Sequence, residues 1–127
     1  MDFLLDTHTF IWFINGDDHL PKKVVDQIEN IKNKCFFSIA SIWEIAIKTN
    51  LNKLRLNIPF DQIREFCTQN NIELLPISFE HIQSQNKLDF HHRDPFDRLI
   101  IAQGITEKLT ILTKDENFRL YNVKCLW

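Results

Sequence analysis

Short apolar runs of strand length recur along the chain, and each is followed by a segment whose apolar residues return every three or four positions. That alternation admits few folds, because each run buries as a strand and each periodic segment returns the chain as a helix. Phe3-Leu4-Leu5 reads as the first strand, ending at Asp6, and Thr7 to Asn15 as a helix bearing Phe10, Ile11, Phe13 and Ile14 and closed by Gly16. A second helix begins at Pro21, a good first helical position, with Val24, Val25, Ile28 and Ile31 along one side. Cys35 to Ile39 is the next strand, and residues 41 to 49 form a helix with Ile42, Ile45, Ala46 and Thr49 on one face. Pro59 opens a helix carrying Ile63, Phe66 and Cys67, Ile72 to Ile77 is a strand, and Ser78 caps a helix through Leu88. After the polar loop Asp89 to Arg93, Asp94-Pro95 opens a helix to about Lys108, and Leu109 to Leu112 is a strand. A helical turn at Glu116 to Leu120 leads to the last apolar run, Val123 to Trp127. The pattern predicts an α/β fold, a parallel sheet with helices on both faces. With no repeat, low-complexity tract or linker, residues 1–127 read as a single domain.

Composition narrows the function. The 15 Lys+Arg against 17 Asp+Glu exclude a broad cationic surface for indiscriminate nucleic-acid binding. Two glycines, Gly16 and Gly104, cannot build a Gly-rich phosphate loop. Cys35, Cys67 and Cys125 are odd in number, far apart and flanked by apolar residues, so they read as buried hydrophobes rather than a disulfide framework. The apolar stretch Phe3 to Ile14 is interrupted by Asp6 and His8 and lacks a cationic flank, so neither a signal peptide nor a membrane span is expected, and the location reads as cytoplasmic.

Carboxylates at element junctions carry the chemistry. Asp6 closes the first strand and Asp115 follows the strand that ends in Ile-Leu-Thr. In an open parallel sheet, ligands bind beyond the carboxyl ends of the strands, so these acids can share one crevice. Glu44 and Asp97 sit in the first turns of two helices, which brings the set to four. Each has a local explanation as well. Asp6 is a natural N-cap, Ser41 to Glu44 and Thr113 to Glu116 match capping boxes, and Asp94-Pro95-Phe96-Asp97 is a cap, a first-position proline and a dipole-favoured acid. Grouped together, however, such acids repel unless a cation joins them, and Mg2+ or Mn2+ takes oxygen ligands and keeps waters that react. An acidic pocket of that kind suits phosphodiester hydrolysis.

On these residues the sequence resembles the PIN-domain ribonucleases, in particular the VapC-type toxins of bacterial toxin–antitoxin modules. Leu4-Leu5-Asp6-Thr7-His8-Thr9-Phe10 resembles the family's first acidic motif, and Ser38-Ile39-Ala40-Ser41-Ile42-Trp43-Glu44 its second, in the subgroup with Ser-x-Trp before the acid. Asp94-Pro95-Phe96-Asp97-Arg98-Leu99-Ile100 resembles the third, and Ile111-Leu112-Thr113-Lys114-Asp115 the fourth. The likeness runs nearly end to end. It implies a PIN-like open parallel sheet in the order 3-2-1-4-5 and Mg2+ or Mn2+ held by Asp6, Glu44, Asp97 and Asp115. It also implies endonucleolytic cleavage of RNA, a homodimer, and inhibition by a cognate antitoxin protein.

Three further residues are grouped with the substrate. Thr7 is placed to hydrogen-bond a ligand carboxylate or a metal-bound water. Lys48, four positions after Glu44, can pair with it or grip a scissile phosphate, and Arg98 beside Asp97 has the same two readings. Asp94 is left to its cap. His8, His91 and His92 read as exposed or RNA-contacting rather than zinc ligands, and Trp12 and Trp43 as core. The clusters Lys22-Lys23, Lys32 with Lys34, and Lys48 with Lys53 and Arg55 read mainly as solvated helix faces. Two other readings compete. A phosphoacceptor receiver domain needs an acidic pair after the first strand, where Thr7 and His8 stand, and a metal-free PIN-like binding module has no need of all four acids.

Overall fold

The computed structural model describes residues 1–127. The chain runs β1 (Asp2–Leu5), α1 (Thr7–Asn15), α2 (Lys22–Glu29), β2 (Lys34–Ser38), α3 (Ile39–Asn50), α4 (Ile63–Gln69), β3 (Ile72–Leu75), α5 (Phe79–Asn86), α6 (Pro95–Glu107), β4 (Thr110–Leu112) and β5 (Cys125–Leu126). Single 3-10 turns at Phe60–Gln62 and Glu116–Leu120 precede α4 and β5. All neighbouring strands pair in parallel, in the order β3-β2-β1-β4-β5. This is the PIN-like α/β fold expected.

The strands are apolar on both sides, so the sheet divides two cores. Phe3, Leu5, Cys35, Phe37, Ile72 and Leu112 face a core closed by Phe10, Val24, Ile28, Ile45 and Ile63 from the helices. Phe10 stacks on Phe37 with ring centres 3.7 Å apart. Leu4, Leu75 and Ile111 point the other way, against Ile100 and Ile101 of α6 and Phe118. The chain leaves β1 toward the first core and β4 toward the second. The crevice at this topological switch therefore opens between the carboxyl ends of β1 and β4.

Local chemistry sets the ends of the helices. Asp6 accepts from Thr9 N at the start of α1, and Gly16 ends that helix with φ 61°, the left-handed geometry that glycine tolerates. Ser78 and His81 close a capping box at α5, and Asp94 caps α6 with Pro95 at its first position. Other boundaries depart from expectation. Pro21 is the N-cap of α2 rather than its first residue, and Pro59 caps the 3-10 turn before α4. Helix α2 stops at Glu29, leaving Ile31 exposed, and β3 stops at Leu75, short of the proposed Ile77. Helix α3 starts at Ile39, because Ser38 at the end of β2 supplies the cap to Ala40 N. No helix is long and apolar enough to cross a membrane. Burial pushes the Cys35 and Cys67 thiols up to about 11, in keeping with their reading as buried hydrophobes.

Candidate metal centre

Asp6 leaves β1 at the switch point and is buried. One carboxylate oxygen accepts from Thr9 N at 2.8 Å, and the other accepts a short hydrogen bond from the Thr113 hydroxyl just past β4. Burial raises its pKa above the usual value, against the lowering effect of the bonds from Thr113 and Thr9. Thr113 also accepts from Asp115 N at 3.0 Å, so one hydroxyl ties the first acid to the fourth. Asp115 is itself the N-cap of the 3-10 turn, accepting from Asn117 N. The capping box expected from Thr113 to Glu116 is therefore absent, since Thr113 bonds toward the sheet.

Glu44 lies in the second turn of α3 and is buried, which corrects the first-turn position read from Ser41. Ser41 is instead a buried helical residue whose hydroxyl lies 2.9 Å from Thr7 Oγ1. Thr7 donates to Glu44 Oε1 at 2.7 Å, and Lys48 Nζ donates to Oε2 at 2.6 Å. That bond raises the pKa of Lys48, which keeps its charge. The Thr7 hydroxyl thus holds the Glu44 carboxylate, and its single proton leaves nothing to donate to substrate.

Asp97 lies in the first turn of α6, beside the Asp94 cap. His92 Nε2 stands 3.1 Å from Asp97 Oδ2 and 3.0 Å from Asp115 Oδ2. One ligand atom from each of these residues lies within 4.8 Å of the others. Burial, then Asp94, pushes the Asp97 carboxyl up to about 7; His92 opposes this, while Glu44 and Asp6 add to it. Thr113 thus links Asp6 to Asp115, His92 stands against Asp115 and Asp97, Glu44 and Asp6 lie near enough to Asp97 to raise its pKa, and Thr7 ties Glu44 to Ser41. Lys48 is the one ammonium ion-paired among them. Four carboxylates against one cation fit a hard divalent ion, whose charge would offset both the burial cost and the repulsion behind the Asp97 shift.

Arg98 does not join them. Its guanidinium is buried and donates to the carbonyls of Asp89, His92, Gln85 and Leu88 at 2.9 to 3.2 Å, with the Phe90 ring 4.2 Å away. Four of its five N–H groups are used, so the phosphate-gripping role expected of it has no donor fork to rest on. Adjacent helical positions point to different faces, which is why Asp97 faces the crevice and Arg98 does not. His92 is the residue that sequence reasoning left in an exposed loop. The usable signal was its place just before a cap-proline start, because the residues before a helix N-terminus lie over its first turn. His8 is exposed, with its ring 5.9 Å from that of Trp12, and Trp43 is 61% exposed rather than core.

The family model of the PIN domain matches residues 3–124, and the chain belongs to that family. Its fold is similar to that of VapBC2 from Rickettsia felis bound to a promoter DNA fragment, with a TM-score of 0.72 and 18% identity over 99% of this chain and 98% of that one. It is similar also to VapBC-1 from nontypeable Haemophilus influenzae, with a TM-score of 0.73 and 15% identity over 99% and 97% of the two chains. For FitAcB from Neisseria gonorrhoeae the TM-score is 0.69 and the identity 16%, over 98% and 96%. No curated protein matches the sequence.

Proposed function

We propose that this chain is a Mg2+- or Mn2+-dependent endoribonuclease of the VapC type, a toxin neutralised by a cognate antitoxin. The observation that supports the proposal is the grouping of Asp97 and Asp115 at the β1/β4 switch point, with Asp6 tied to Asp115 through Thr113 and the Lys48-paired Glu44 raising the pKa of Asp97. These four acids would hold the ion or ions. When bound, a divalent ion supplies water of lowered pKa and stabilises charge on phosphorus. The residues of the chain do the rest. Thr7 and Thr113 fix Glu44 and Asp6, and the carboxylates orient the attacking water. Lys48, partly exposed, has two N–H donors left beyond Glu44 for the scissile phosphate.

A protein partner is supported by the fold likeness to VapBC and FitAB assemblies. An uncharged exposed row along α3 and its C-cap, formed by Ile39, Trp43, Ile47 and Leu51, supports a second copy of the chain as a further partner. A cytoplasmic location fits an RNA substrate. The deciding experiment is induced expression followed by mapping of RNA 5′ ends. Wild type is expected to create new ends that Asp6→Asn does not. Asparagine keeps an acceptor for Thr9 N, and the Thr113 hydroxyl can turn to accept, so the variant stays folded. New ends that persist in Asp6→Asn, or purified activity that survives a chelator, would overturn the proposal.

A further inference from the structure

His92 is held more firmly than a loop histidine requires. Its backbone N–H donates to Tyr121 Oη at 2.8 Å, and its carbonyl accepts from Arg98 at 3.2 Å. Tyr121 in turn donates to Asp89 O at 2.6 Å, and the His92 ring stands edge-on to Phe118 at 5.8 Å. Arg98, Tyr121 and Phe118 are all buried. Enclosing a guanidinium is costly, and here its N–H groups go to the carbonyls of the segment that delivers His92.

The ring has a defined tautomer. Asp94 N donates to His92 Nδ1 at 3.3 Å, and a backbone N–H can only donate. Nδ1 therefore carries the lone pair and Nε2 the proton. That Nε2–H is directed at Asp115 Oδ2, 3.0 Å away, with Asp97 Oδ2 3.1 Å from the same nitrogen. Were Nε2 to bind a metal, the neutral ring would carry its proton on Nδ1, facing the Asp94 N–H donor to donor. Histidines that bind metals instead donate their second N–H to an acceptor.

We propose that His92 is a positioning residue: its Nε2–H holds the Asp115 carboxylate beside that of Asp97 so that both hold the same ion, while the imidazole stays outside the coordination sphere. The inference rests on the metal-dependent reading given above. It also accounts for Arg98 and Tyr121, which the chemistry otherwise leaves unused.

The test is Mn2+ binding to the purified protein, read from loss of the aqueous Mn2+ EPR signal, with pulsed EPR reporting any directly bound nitrogen. His92→Phe keeps a ring against Phe118 but removes the donor, and is expected to weaken Mn2+ binding about 10–100-fold. His92→Gln restores an N–H of similar reach and is expected to recover most of that loss, which a merely space-filling residue would not do. Circular dichroism establishes that both variants are folded. The wild-type spectrum is expected to lack 14N coupling from a coordinated imidazole. Such coupling in the wild type would make His92 a ligand and overturn the proposal, as would unchanged affinity in His92→Phe. A wild-type protein that binds no Mn2+ overturns the metal reading as well, which separates the two failures.

Discussion

Burial and the Asp94 carboxylate hold Asp97 at about 7 against a reference of 3.8, with Glu44 and Asp6 adding to the shift and His92 opposing it. A carboxyl whose folded pKa lies above its unfolded one binds the extra proton in the folded state, so stability falls as pH rises between those values. For the metal-free protein the window runs from about pH 4 to about pH 7. Asp97→Asn removes this titration. Its melting temperature is therefore expected to exceed that of wild type at about pH 8 without metal, and the gap to close near pH 4. On the proposed metal dependence, adding Mn2+ at the higher pH is expected to reverse the order, because the ion would stabilise the ionised carboxylate that asparagine lacks. Thermal melts of both proteins across pH, with and without metal, check this. A gap that does not depend on pH would show that Asp97 is not ionising against its neighbours.

Elements, rather than single residues, decide which side chains reach the crevice. Arg98 holds the end of α5 and the chain between α5 and α6 through four carbonyls, and Arg98→Ala leaves those acceptors without their donor. Urea unfolding is expected to register a loss of about 3 kcal/mol or more, and Arg98→Lys recovers little, since one ammonium cannot span the fork. A loss below about 1 kcal/mol would mean that water replaces the guanidinium at no cost. Local signals were legible in the sequence: Asp6, Ser78 and Asp94 act as caps where their neighbours predict, and the strand–helix alternation gives the parallel sheet. The order of the strands was not legible from periodicity, because it depends on which strand pairs with β1, and came from the family resemblance. Glu44 was misplaced by a turn because Ser38 and Ser41 both resemble caps, and the end of β2 at Ser38 settles the choice. Arg98 and His92 were misread for a related reason. Sequence adjacency to Asp97 says nothing about helix face, and a polar loop gives no local sign of folding back over a helix end.

Across the whole molecule, the row of Ile39, Trp43, Ile47 and Leu51 is an exposed surface with no charged side chain in it. Trp43 leans edge-on to Phe96 at 5.3 Å, so the row adjoins the first turn of α6. Trp43→Glu combined with Ile47→Glu is expected to leave the circular-dichroism spectrum unchanged and to reduce the mass measured by light scattering from two chains to one. A wild-type protein that is already monomeric would remove the second copy from the proposal. The sheet has a temporal consequence too. Its central strand β1 pairs with β4, and Asp6 meets Thr113 across 107 positions of chain. At about 5–20 residues per second, Asp6 leaves the ribosome on the order of ten seconds before its partner is made. The β1/β4 crevice is thus among the later parts of the molecule to form, ahead of the β5 edge. Translation must pass Asp115 before Thr113 can bridge Asp6 and Asp115, which builds a delay between the making of this chain and the onset of the activity proposed for it.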